Sequence, residues 1–189
     1  MKTAVIIHGM PDIEEYMDPA NPAQSNRHWF PWLQKQLAIR GVVAQSLEMP
    51  EPYAPVYEKW RETFEQMHVD EDTALFGHSC GGGFFVRWLS ENKKHVGEVV
   101  LVAPWLDPEK EIDSGFFDFV IDPDLATRVK KITVMYSTDD SPSILETVRI
   151  LKEQLPMVTF KEFTNKGHFC SEDLTNDEFP EILEALELK

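Results

Sequence analysis

The chain has 189 residues, enough for one ordinary domain with a buried core and too few for two of typical size, so a single domain over residues 1–189 is expected. Apolar residues make up 42% and charged residues 27%, which suits a folded globule and excludes a disordered or fibrous chain. The formal charge of −15, from 18 Lys plus Arg against 33 Asp plus Glu with no basic cluster, repels phosphate backbones and anionic headgroups, so neither nucleic acid nor a membrane surface is expected as a partner.

The first run, Thr3–His8, reads as a strand, and its apolar part from Ala4 to Ile7 is stopped by His8 and Gly9. That run is too short for a signal-peptide core or a membrane span, and a cytoplasmic location is expected. A long acidic connection follows from Gly9 to Arg27, carrying Asp12, Glu14, Glu15 and Asp18. Connections of this length are usually functional, and its carboxylates read either as a bias against anionic ligands or as a solvated loop.

A helical pattern runs from His28 to Ile39, with Gly41 where a C-cap glycine belongs. Next come a strand at Val42–Leu47, a helix at Val56–Met67, a strand at Thr73–Phe76 and a helix at Gly81–Glu91. Val96–Ala103 and Ile132–Tyr136 read as strands, separated by a second long connection, Pro104–Pro123, and a helical segment at Asp124–Lys130. A helix at Ser143–Leu155, a strand at Val158–Phe163 and a helix at Phe179–Leu188, with Asn176 and Asp177 at its N-cap, complete the pattern.

Several strands are apolar without alternation, as strands covered on both faces are. Alternating strands and helices of this kind imply an α/β fold, a parallel sheet sandwiched between helices. Both long connections follow strands and therefore emerge at the carboxyl edge of the sheet, where such folds bind ligands.

Gly77-His78-Ser79-Cys80-Gly81 fits G-x-S-x-G, in which a serine sits on a sharp turn from strand to helix. Small residues are needed two before and two after it, because side chains there would collide with the tight backbone. Centring the motif on Cys80 would put His78 in the crowded position, so the geometry selects Ser79 as nucleophile. Gly82 and Gly83 would let the following helix pack closely against the sheet.

A serine hydroxyl needs a base, which must itself be oriented by a third group. Of six histidines, His168 lies on a loop after the last strand and before the last helix. Asp139 and Asp140 lie just past the strand ending at Tyr136, and spacing does not separate them. His8 and His78 sit beside glycine at strand ends and read as structural, while His28, His68 and His95 read as surface residues. Backbone N–H groups of Cys80 and Met10 are placed to hold an oxyanion.

These residues resemble the small serine hydrolases typified by retinoblastoma-binding protein 9 and the bacterial YdeN protein, within the α/β-hydrolase superfamily. The likeness runs nearly end to end, through AVIIHG, LEMPEP, FGHSCGG, VVLVAPW, STDD and KGHF. It implies a triad of Ser79, Asp140 and His168, with the second aspartate of the STDD pair as the acid. A three-layer sandwich with a mostly parallel sheet of about six strands in the order 2-1-3-4-5-6 and no separate lid domain follows from the resemblance. So does hydrolysis of small esters, amides or thioesters without a cofactor or metal. The name-giving relative binds its partner through an L-x-C-x-E segment, whereas the matching stretch here, Met67-His68-Val69-Asp70-Glu71, lacks the cysteine, and retinoblastoma protein binding is not expected.

Trp105, Phe116 and Phe117, with Phe119, in the second long connection are candidate walls of a substrate pocket, or ordinary packing. Cys80 and Cys170 make no disulfide framework and lack sequence companions for a zinc site, so both read as reduced thiols, and a redox role for either is the weaker reading. The rival to an enzyme is a protein-binding module built on a hydrolase fold; the serine, acid and histidine in hydrolase order speak against it.

Overall fold

Short runs of β-branched and aromatic residues become the strands of one sheet in the computed structural model, which describes residues 2–186. The strands are β1 (Thr3–Ile7), β2 (Val43–Leu47), β3 (Thr73–His78), β4 (Val96–Val102), β5 (Val129–Ser137) and β6 (Thr159–Phe163). Helices are α1 (Ile13–Met17), α2 (Phe30–Ile39), α3 (Tyr57–Phe64), α4 (Cys80–Asn92), α5 (Pro142–Gln154) and α6 (Pro180–Leu183), with 3₁₀ turns at Gln24–Asn26 and Leu125–Arg128.

Every strand pairs in parallel with its neighbour, and the order is β2-β1-β3-β4-β5-β6, as expected. Strands β3 and β4 are buried along their whole length, which is why they read as apolar without alternation. Edge strands β2 and β6 remain partly exposed. Parallel pairing sends all the strand-to-helix loops to one edge. The chain reverses direction across the sheet between β1 and β3, so the loops after these two strands flank the crevice where open α/β sheets place ligands.

Aromatic side chains fill the layer between α3, α4 and the second long loop. Trp60, Phe84 and Phe116 meet at ring distances of 5.0–6.4 Å, and Phe64 packs edge-on to Trp88 at 4.9 Å. Arg87 fixes the loop to α4: its Nη1 donates to the carbonyls of Gly115 and Phe116 at 2.7 and 2.8 Å, and its guanidinium lies 3.6 Å from the Tyr57 ring centre. Those bonds draw Phe116 into the core, where it is fully buried.

Several boundaries differ from expectation for identifiable reasons. The expected helix at Asp124–Lys130 is a 3₁₀ turn that gives way to β5 at Val129, because Val129 is buried and pairs with Val96. Arg128 closes that turn, its Nη2 donating to Leu89 O at 3.1 Å and Asp122 Oδ2 at 2.5 Å. Helix α1 carries no buried residue and so leaves no apolar periodicity to read. Gly41 does sit beyond α2 at φ 76°. Asn176 instead accepts the Glu178 N–H at 3.0 Å and Phe179 occupies the N-cap of α6, while the expected end of that helix at Leu188 lies outside the described residues.

Gly83 faces the loop after β4 and not the sheet itself. A Cβ there would stand 1.9 Å from the Trp105 carbonyl oxygen and 2.6 Å from Phe117 Cε1. Gly83→Ala is therefore expected to destabilise the fold by about 1–3 kcal/mol, the usual penalty of overpacking. Urea denaturation checks this; an unchanged midpoint would show that the helix and loop do not need their close approach.

Candidate active site

The turn from β3 into α4 is closed by steric necessity. A Cβ on Gly77 would lie 2.6 Å from Gly81 O, and one on Gly81 would lie 2.5 Å from the carbonyl oxygens of both Ile7 and His8. Ser79 between them takes φ 53° and ψ −121°, a conformation rarely adopted by a residue with a side chain. Its N–H donates to Val102 O at 3.0 Å, and its carbonyl accepts from Gly82, Gly83 and Trp105 at 2.9, 3.1 and 3.0 Å. Serine at a helix N-cap usually bonds back to the first turn, but Ser79 makes no such bond, and its hydroxyl is left for the cavity beside it.

Asp140 lies in the turn after β5, with its side chain only 3% exposed. His168 lies in the loop after β6, and its Nδ1 stands 2.9 Å from Asp140 Oδ2 and 3.1 Å from Oδ1. Asp139 does not take this position: its carboxylate accepts the Ser137 hydroxyl, which is the first cause of its lowered pKa, and so braces the turn. Among the described residues the Ser79 hydroxyl makes no hydrogen bond to the imidazole, although both side chains border the same two cavities. Such contacts are often long in unliganded sites and tighten when substrate binds.

One cavity, about 430 Å³, is bordered by Glu15, Gln24, Arg27, His28 and Glu172, and the other, about 470 Å³, by Trp105, Ser141, Ser143 and Ile144. Ser79, Met10 and His168 border both and stand on the ridge between them. Among the described residues the Met10 N–H has no acceptor. The Cys80 N–H belongs to the first turn of α4, where no intrahelical acceptor exists and the helix dipole favours negative charge.

Of the three aromatic candidates, only Trp105 borders the serine. Its Nε1 donates to Ser143 Oγ at 2.7 Å, holding the indole against α5. Phe116 is core, and Phe117 packs against Trp105 and Phe116 while facing a separate hollow with Leu106 and Phe119. The acidic first loop also contributes less charge than its composition implies. Glu15 alone of its four carboxylates reaches the cavity, and there it pairs with Arg27.

Three groups position these loops: His8 and His78, the structural residues that the sequence implies, and Asp173, which no motif singles out. His8 donates from Nδ1 to Gly9 O at 2.7 Å and accepts the Met49 N–H at Nε2, 3.0 Å away, tying the Gly9-Met10 loop to the segment after β2. His78 donates from Nε2 to the His168 carbonyl at 2.8 Å. Asp173 Oδ2 accepts the N–H groups of His168 and Cys170 at 2.8 and 3.2 Å. His28 corrects the surface reading: it is half-buried, edge-on to His78 at 5.8 Å, whereas His68 and His95 are exposed as expected.

Burial is the leading cause that lowers the pKa of His8, and it holds His78 well below 6.5, with His168 and His28 adding to the effect. Both rings are then neutral in the fold, and the unfolded chain binds more protons as pH falls below about 6.5. The stability they confer is present above that pH and is lost on acidification, before most carboxylates titrate. A lower urea midpoint at about pH 5.5 than at about pH 7.5 is expected, with a smaller drop in His78→Gln. An equal drop in the variant would remove His78 from the explanation.

Comparison with known proteins agrees with this architecture. Residues 19–187 match the family described as serine hydrolase. The chain is 32% identical over 161 residues to YdeN of Bacillus subtilis (strain 168), covering 80% of this chain and 83% of that protein. It is 27% identical over 164 residues to the serine hydrolase RBBP9 of Rattus norvegicus, covering 84% of each. The crystal structure of the ydeN gene product superposes with a TM-score of 0.80 at 28% identity, covering 97% of this chain and 96% of that one. Est1E from Butyrivibrio proteoclasticus shares the fold at a TM-score of 0.62 and 14% identity, over 89% of this chain and 80% of that one. The chain belongs to the serine hydrolase family and has an α/β-hydrolase fold.

Proposed function

We propose that the protein hydrolyses small esters through an acyl-enzyme on Ser79, with His168 as base and Asp140 as its orienting acid. The observation that carries this reading is the pair of contacts from His168 Nδ1 to both Asp140 oxygens, 2.9 and 3.1 Å, beside the cavities that Ser79 borders. Asp140 holds the ring with its proton on Nδ1, so the Nε2 lone pair is free to receive the serine proton.

In the first step Ser79 Oγ bonds to the substrate carbonyl carbon while its proton passes to His168 Nε2. The carbonyl π electrons move to oxygen, and the Met10 and Cys80 N–H groups hold the oxyanion. Collapse breaks the bond to the leaving alkoxide, which takes the proton from His168 and departs as an alcohol. Water then repeats the sequence against the acyl carbon, releasing the acid and restoring Ser79. The two cavities meeting at Ser79 suit the two halves of an ester, one for the acyl part and one for the leaving part. Amides and thioesters enter the same scheme with a different leaving group. Esterase chemistry is the choice favoured by a fold shared with Est1E and with the monoacylglycerol lipase of Paleococcus ferrophilus, the latter at a TM-score of 0.61 and 17% identity.

Turnover of p-nitrophenyl acetate should fall by at least about 10³-fold in Ser79→Ala. Undiminished turnover would refute the assignment, and no turnover by the wild type on esters, thioesters or anilides would favour a binding module on this fold. Asp140→Asn should lower kcat by about 10²–10⁴-fold through loss of the correct imidazole tautomer, while Asp139→Asn stays within about tenfold of wild type. The reverse ranking would assign the acid to Asp139.

A further inference from the structure

We propose that His28, Cys170 and Glu172 form a zinc site in the smaller Ser79 cavity, and that zinc bound there closes the cavity to substrate. One ring nitrogen of His28, the Cys170 sulfur and a Glu172 carboxylate oxygen lie within 4.8 Å of one another. All three side chains border the cavity of about 430 Å³ that also contains Ser79 and His168. In sequence Cys170 has no ligand partner at zinc-binding spacing, because His28 reaches it only through the fold.

The donor set points to zinc rather than to calcium or magnesium. One sulfur, one imidazole nitrogen and one carboxylate oxygen suit a borderline-soft ion, whereas the hard cations take oxygen alone. Zinc at its usual bond lengths of about 2.0–2.3 Å draws tetrahedral ligands somewhat closer together than they stand here. Glu172 is exposed and has the rotamer freedom to supply that movement. Three protein ligands leave the fourth position to water, which projects the hydrated ion into the cavity.

The first two ligands are already held. His28 stands at φ 54°, packed edge-on against Phe30 and His78. Its Nδ1 lies 3.3 Å from Ser171 Oγ and accepts the Ser171 N–H at 3.1 Å. Metal on Nε2 requires the tautomer with its proton on Nδ1, which gives up the Ser171 N–H bond and donates instead to the Ser171 hydroxyl, the outer-shell contact that ligating histidines commonly make. Cys170 is held by its N–H to Asp173 and by the approach of its sulfur to His168 O, 3.9 Å away.

Burial, reinforced by Asp173 and Glu172, raises the Cys170 thiol to about 12, which disfavours a free reactive thiolate and a redox role. Zinc coordination displaces the thiol proton to solvent, forming one Zn–S bond for each proton released. The formal charge of −15 raises the local concentration of divalent cations.

Metal binding stands independently of the hydrolase reading, while closure of the cavity rests on it. Cobalt(II) titration of the full chain should give one equivalent of binding with a thiolate-to-cobalt absorption band, lost in Cys170→Ser. Zinc should inhibit p-nitrophenyl acetate turnover, with the half-inhibiting concentration raised at least about tenfold in Cys170→Ser and His28→Asn and also raised in Glu172→Gln, each against its own metal-free rate. Glu172 is exposed, so Glu172→Gln tests the site without disturbing the core. A wild type without the thiolate band overturns the site. Equal zinc sensitivity in wild type and all three variants overturns closure from this position, and so does a thiolate band with unaffected turnover. If the wild type turns over no ester at all, the hydrolase reading fails while the cobalt band still decides the site.

Discussion

The backbone crossing between Gly77 and Gly81 is the constraint on which the site depends. Strand β3 can enter α4 over a single residue only because carbonyls of β1 and of α4 occupy the space that side chains at these two positions would need. Ser79 bears the consequence, a positive φ of the kind that costs about 1–3 kcal/mol. Three N–H groups converge on its carbonyl, and at about 0.5–1.5 kcal/mol net for each bond they offset that strain. One of the three comes from Trp105, so the same carbonyl that stabilises the turn also anchors the loop bordering the second cavity.

Around that turn the parallel sheet fixes position and the loops carry the candidate residues. Neighbouring β1 and β3 present Met10 and Ser79 side by side, while β5 and β6 bring Asp140 and His168 to the same edge. His8, His78 and Asp173 then hold the loops that carry these groups, each through bonds to backbone. A buried neutral imidazole suits this work, since it can donate on one side and accept on the other without bringing a charge into the core.

Much of this was legible in the sequence because the signals are local. Consecutive β-branched residues marked β1 and β4, a short apolar run marked β3, and G-x-S-x-G marked the turn through sterics alone. The boundary at Val129 was not legible, because its strand conformation comes from pairing with Val96, a partner 33 positions away. Pocket wall and ordinary packing are equally open for Phe116 in sequence, and the bonds from Arg87 to its backbone decide for the core. The ambiguity between Asp139 and Asp140 is likewise one of direction: adjacent side chains leave the turn on different sides, and only the fold shows which one meets His168. His28 read as a surface residue because nothing adjacent in the chain announces that it packs on His78.

Covalent trapping addresses the central claim most directly. After exposure of the folded protein to a fluorophosphonate, peptide mass spectrometry should find the phosphonyl adduct on Ser79, and His168→Ala should abolish it. An adduct on Cys80 or another side chain, or undiminished labelling of Ser79 without the imidazole, would contradict a nucleophile activated by His168.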